Sequence, residues 1–160
     1  MLFYWISLLI FIPIFVCQRQ VGPNNREYSF QHIICRKLTC SLEQALTENV
    51  NITGVLRSNG FFTSYHPCVK EVGSTEPAKA LVQDHGREFT LKCYVKKADY
   101  GRYSNTFELH VEHNCNYRRE KEEFVLDLPL AHQFEGGVHI FKRMELLEEK
   151  RDQFTRLLTK

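Results

Sequence analysis

Three stretches in the second half of the chain alternate apolar and polar side chains with a period of two. In REFTLKCYVKK, Phe89, Leu91, Cys93 and Val95 fall on one face while Thr90, Lys92, Tyr94 and Lys96 fall on the other. In TFELHVEHNC, Phe107, Leu109 and Val111 alternate with Glu108, His110 and Glu112; in EFVLDLP, Phe124, Leu126 and Leu128 share a face and Pro129 ends the run. Successive side chains of a strand point to opposite faces, so each stretch describes a strand buried on one side. A chain with three such strands must pair them and cover their apolar faces with another layer.

The rest of the sequence supplies that layer. FQHIICRKLTC, beginning at Phe30, has the β-branched, half-apolar content of a first strand, and NVNITGVL alternates Val50 and Ile52 with Asn49, Asn51 and Thr53. RSNG reads as a turn, FFTSY as a short strand, and the Gly-, Pro- and charge-rich stretch from Pro67 to Lys79 as a long loop. Ser41-x-x-Gln44 has the form of a capping box and suggests one helical turn. VHIFKRMELL alternates as a last strand. Short strands spaced roughly 10 to 20 residues apart, with turn chemistry between them, predict an all-β antiparallel sandwich over residues 30–147.

Both ends differ from this body. Residues 1–16, MLFYWISLLIFIPIFV, carry no charge, and the run is shorter than the roughly 20 residues of a spanning helix. It reads as a signal peptide over residues 1–17, the alternative being an uncleaved membrane anchor. Residues 18–29 are polar, with Gly22-Pro23-Asn24-Asn25, and form a flexible lead-in. At the other end Leu147, Phe154 and Leu158 lie at i, i+7 and i+11, which predicts an amphipathic helix over 148–160 resting on the sandwich, on a partner or on a membrane surface.

The net charge of +2 is spread along the chain, and the dense clusters Arg118–Glu123 and Glu148–Asp152 mix both signs, so nothing calls for nucleic acid or an anionic membrane. Beyond Cys17 stand Cys35, Cys40, Cys68, Cys93 and Cys115, none spaced as C-x-x-C. All five are candidates for disulfides in an oxidising compartment, and five is odd. Cys115, at the end of an inward-facing strand, is expected to bond Cys35 or Cys40. Otherwise the spacing leaves the pairing open.

Leu109-x-Val111-x-His113-Asn114-Cys115-Asn116 resembles the F-strand motif of the nematode transthyretin-like family. Asp84-His85-Gly86-Arg87-Glu88-Phe89-Thr90-Leu91 is similar to that family's D-x-G-x-F-x-L turn and strand, EFVLDLP to the strand ending in proline, and GGVHIFKRMEL to the final strand. The resemblance covers roughly residues 30 to 147. It implies a secreted transthyretin-like (immunoglobulin-like) sandwich that binds or carries an extracellular protein or a small apolar or lipid ligand. The chain departs from the pattern where Gln31 replaces the glycine four residues before Cys35, where NYRREKEEF lacks a second cysteine, and in its cysteine-free tail.

Enzymatic readings find little purchase. His110 and His113 would share a face on a helix, but on a strand their odd separation sends them to opposite faces, and no metal site is expected. Cys93 or Cys115 beside a histidine could supply a nucleophile, yet both lie in strand patterns that favour a buried or bridged role. Glu122-Glu123 and Glu148-Glu149 sit in charged, solvated stretches. The alternative function is a divergent 5-hydroxyisourate-hydrolase-like enzyme, but relatives of that enzyme end in Tyr-Arg-Gly-Ser and this chain ends Leu157-Leu158-Thr159-Lys160. No cofactor is implied. Asn51-Ile52-Thr53 is a glycosylation sequon, with Asn51 on the polar face of its strand.

An uncharged apolar leader followed by a polar segment predicts export with cleavage between Val16 and Gln20. N-terminal sequencing of protein recovered from the medium should begin near Gln18; an intact Met1 terminus recovered from membranes excludes cleavage.

Overall fold

The computed structural model describes residues 26–42, 50–83, 87–128, 137–148 and 157–159. Strands are β1 (Tyr28–Cys35), β2 (Leu38–Thr39), β3 (Asn51–Asn59), β4 (Thr63–Pro67), β5 (Leu81–Gln83), β6 (Glu88–Lys96), β7 (Ser104–His113), β8 (Glu122–Leu128), β9 (Gly137–Phe141), β10 (Met144–Glu145) and β11 (Leu157–Thr159). One sheet runs β11-β9-β1-β6-β5, another β4-β3-β7-β8, and β10-β2 form a short pair. The alternating faces of β6, β7 and β8 are buried as the pattern requires, and Leu91 and Val95 of one sheet join Leu56, Phe107 and Leu109 of the other in a single core. The fold is nearly all-β, with two sheets laid face to face.

Neighbouring strands are antiparallel except for two parallel pairs, β1 with β9 and β2 with β10; on its other side β1 pairs antiparallel with β6. Two-residue breaks at Arg36-Lys37 and Lys142-Arg143 then let β2 and β10 continue side by side, Leu38 opposite Met144. Glu145 is fully buried there. Its carboxylate accepts hydrogen bonds from Thr39 Oγ1 at 2.9 Å, Ser41 N–H at 2.8 Å and Leu147 N–H at 3.2 Å. Two backbone donors at the end of the ladder are thereby satisfied inside the protein, where leaving them unpaired would cost about 1–3 kcal/mol each.

The chain crosses between the sheets at Cys68. Cys68 N–H bonds Gly54 O of β3 at 2.9 Å, whereas Val69 exchanges hydrogen bonds with Tyr94 of β6 at 2.9 and 2.8 Å. A disulfide from Cys68 to Cys93 of β6 locks this corner, and a second, Cys40–Cys115, ties the end of β2 to the end of β7. The first joins the four-stranded sheet's corner to the five-stranded sheet, and the second joins the β2–β10 pair to the four-stranded sheet. They close loops of 25 and 75 residues, for which loss of unfolded-chain entropy stabilises by about 3–5 kcal/mol each.

Several sequence expectations change. Cys35, a disulfide candidate, is a free thiol buried beneath β1, and burial raises its pKa to about 11, so it stays protonated. β1 starts at Tyr28, two residues before the expected boundary, because Tyr28 packs edge-on to Tyr94 of β6. RSNG is not a turn: β3 runs on to Asn59, held between β4 and β7, and the chain reverses at Gly60–Phe62. The last alternating segment is two strands, broken at Lys142-Arg143. Leu157–Thr159, expected to close a helix, instead pairs antiparallel with β9, whose free edge offers backbone partners that a helix of about 12 residues, marginal alone, would not gain. The leader, most of the lead-in, the Ser41-x-x-Gln44 turn beyond Leu42, Asp84–Gly86 and residues 149–156 of the tail lie outside the described residues.

Gly54 faces this corner with no room for a side chain, since a Cβ there would overlap the Phe107 ring and stand 3.0 Å from Cys68 Sγ. Gly54→Ala should cost about 1–3 kcal/mol through overpacking, read as a lower denaturation midpoint; unchanged stability would show that Phe107 can move aside.

Candidate functional site

Because Phe107, Leu109, Val111 and His113 of β7 turn inward, Glu108, His110 and Glu112 point away from the core. Strand register sets their company. Glu108 lies opposite Val55 and Asp127, His110 opposite Thr53 and Val125, Glu112 opposite Asn51 and Glu123, and Arg57 opposite Tyr65 and Thr106. Directly opposed residues of an antiparallel pair share a face, so these side chains together pave the outside of the four-stranded sheet.

The polar groups there are locked to one another. Arg57 Nε lies 3.0 Å from Glu108 Oε1 and its Nη2 3.7 Å from Asp127 Oδ2. His110 Nε2 is 3.0 Å from Glu108 Oε2, and His110 Nδ1 meets the carboxylate of Glu123. Arg57 and His110 thus cover Glu108, leaving an outward-pointing carboxylate buried. Around them runs an open groove lined by Arg57, Tyr65, Glu108, His110, Val125 and Asp127. Tyr65 and Val125 are exposed at its margins. At the far end of the face Glu112 takes hydrogen bonds from Lys121 at 2.7 Å and Asn51 Nδ2 at 2.8 Å, which hold its carboxyl below the usual range.

Both ring nitrogens of His110 face carboxylates, so neither is presented to a hydroxyl as a general base. His113 lies on the opposite face, fully buried, with Nδ1 accepting from Cys115 N–H at 3.0 Å and its ring against Phe124. The two histidines are not brought together, and among the described residues no three metal-ligating side chains converge. Cys93 and Cys115 are in disulfides and offer no thiolate. Glu122 and Glu123 part company, Glu122 lying 3.6 Å from His113 and Glu123 bound to His110. Glu148 is exposed, and Glu149 lies outside the described residues. Asn51 is exposed on the polar face.

Sequence reasoning missed Arg57, which RSNG disguised as a turn residue, and gave Glu108 no role. Counting the period-two pattern of β3 onward from Ile52 would have put Arg57 on the outer face with Thr53. No family model matches this chain, and neither a curated protein nor a solved structure matches it.

One interior group carries a pH consequence. His139 of β9 is buried beside Ile33 of β1, and neither ring nitrogen has a hydrogen-bond partner. Burial pushes its pKa below 6.5. As pH falls through 6.5 the unfolded chain takes up a proton that the folded one refuses, so stability, complete above that value, declines toward the folded pKa by at most about 1.4 kcal/mol per pH unit. The parent should therefore lose more thermal stability between neutral and mildly acidic pH than His139→Leu; parallel profiles would place the sensitivity elsewhere.

Proposed function

We propose that this chain is an exported, transthyretin-like β-sandwich that acts outside the cell as a binding or carrier module and not as an enzyme. The outer face of the four-stranded sheet carries this reading: a pre-formed Arg57–Glu108–His110 network set between exposed Tyr65 and Val125. Side chains already immobilised lose little entropy on binding, and an exposed tyrosine beside an arginine has the composition of an interface anchor. Glu108, Glu112, Glu123 and Asp127 outnumber Arg57 and Lys121 on this face, so the complementary partner is an extracellular protein that presents basic side chains.

Two disulfides support an oxidising destination. No helix among the described residues is long and apolar enough to cross a membrane. A glycan on Asn51 would stand at the Glu112 end of the face and leave the Arg57–Tyr65 end open.

Binding of the secreted protein to intact cells tests the reading. The double variant Arg57→Gln, Tyr65→Ala should bind at least about tenfold more weakly, and Tyr65→Ala alone, which leaves the Arg57–Glu108 pair intact, should also weaken binding while its melting temperature stays near that of the parent. Hydrolysis of 5-hydroxyisourate by the purified protein above the uncatalysed rate, or equal binding by the double variant, overturns it.

A further inference from the structure

The two poles of the sandwich differ in chemistry. At the pole where β7 ends, the turn into β8 reads Tyr117-Arg118-Arg119-Glu120-Lys121-Glu122-Glu123, dense in both charges. At the pole where β3 reverses into β4 and the chain enters β7, the segments Gly60–Ser64 and Gly101–Asn105 contain one charge, Arg102. Three aromatic side chains stand out there instead: Phe61 is 91% exposed, Phe62 78% and Tyr103 76%.

These side chains are presented and not merely left over. Tyr103 N–H bonds Asn59 O at 3.1 Å, and a Cβ on Gly101 would come within 2.7 Å of Gly60 N, so the two loops touch backbone to backbone. Asn59 Nδ2 donates to Ser104 Oγ at 2.9 Å, and Asn105 Oδ1 accepts from Gly101 N–H at 2.7 Å. A hydrogen-bonded collar thus holds one rigid tip. Phe61 and Phe62 meet edge to face at its end, ring centroids 4.8 Å apart, and the Arg102 guanidinium lies 5.9 Å from the centre of the Tyr103 ring.

We propose that this pole docks on a phospholipid bilayer, Phe61 and Phe62 entering the boundary between headgroups and acyl chains while Tyr103 and Arg102 stay at headgroup level. Apolar rings at a tip, with a tyrosine and a cation behind them, match the layered polarity of a membrane interface. Arg102, the lone charge of the tip, complements lipid phosphates. Gly60–Ser64 and Gly101–Asn105 carry no carboxylate that lipid phosphates would repel. The inference deepens the binding-module reading, and rests on it, by giving the module a second, lipid contact at the turn of the same hairpin, two ladder rungs beyond the Arg57–Tyr65 pair.

A tryptophan reporter suits the test because Trp5 is the only tryptophan in the sequence. The full-length chain is expressed, and the protein recovered from the medium, parent or Phe62→Trp, is mixed with phosphatidylcholine vesicles with and without phosphatidylserine. The expected results are a shift of the Phe62→Trp variant's indole emission to shorter wavelength, co-sedimentation lost in Phe61→Ser, Phe62→Ser at unchanged melting temperature, and loss of the preference for anionic vesicles in Arg102→Glu. Absence of both shift and co-sedimentation overturns the proposal. So does cell binding that depends on Phe61 and Phe62 but vanishes when surface proteins are shaved by protease, which assigns the tip to a protein. If vesicles fail while cell binding sensitive to Arg57 and Tyr65 persists, only the lipid contact falls; if both fail, the module reading falls with it.

Discussion

Everything in this fold leans on one crossing point. Cys68 bonds through its amide to β3 and through its sulfur to β6, and the next residue, Val69, already belongs to the other sheet. Two apolar faces attract each other without regard to angle or register, because the hydrophobic effect has no direction. Hydrogen bonds and a covalent bridge at a shared corner supply the direction that burial lacks. The close contact of Gly54 with Phe107 follows from it: the corner brings the β3 backbone and the disulfide against an aromatic ring, and only a residue without a side chain fits between.

With the sheets pinned, the outside of the four-stranded sheet becomes a fixed surface on which strand register alone decides which charges meet. Arg57 and Glu108 are not directly opposite. They reach each other diagonally across β3 and β7, and His110 closes on Glu108 from two residues along the same strand. For such partly buried pairs desolvation offsets much of the attraction, so their net contribution to stability is small while both partners are present. Their effect is on shape, holding the outer face of the sheet in one pattern.

Where a strand has one wet and one dry face, burial writes the structure into the residue order, and β6, β7 and β8 were legible for that reason. Regions that depend on a distant partner were not. Arg57 and Ser58 have the composition of a turn, yet β4 and β7 flank them and pairing overrides local preference. Glu145 follows Met144 in what looks like an alternating strand, and nothing local says that its carboxylate will be sealed against the Ser41 amide and the Thr39 hydroxyl, more than a hundred residues away in the chain. Five cysteines carry no record of which one stays single, since the choice depends on which pairs the sheets bring within reach. At the tail, helical spacing over a few residues competes with the open edge of β9, and for Leu157–Thr159 the edge prevails.

The position of β1 bears on how such a chain is made. It is the first strand, yet its two neighbours are β6 and β9, so a chain emerging from the amino end must hold β1 without partners until residues far along have been synthesised. Pairings of such long sequence separation form slowly. Cys35 rides on this waiting strand, five residues before Cys40, and stays within reach of oxidants until β9 arrives to seal it in. The newborn protein thus passes through a period in which either thiol can take Cys115. The pairing of β1 with both β6 and β9 that buries Cys35 in the finished molecule thus ties the choice between Cys35 and Cys40 to the order in which the strands assemble.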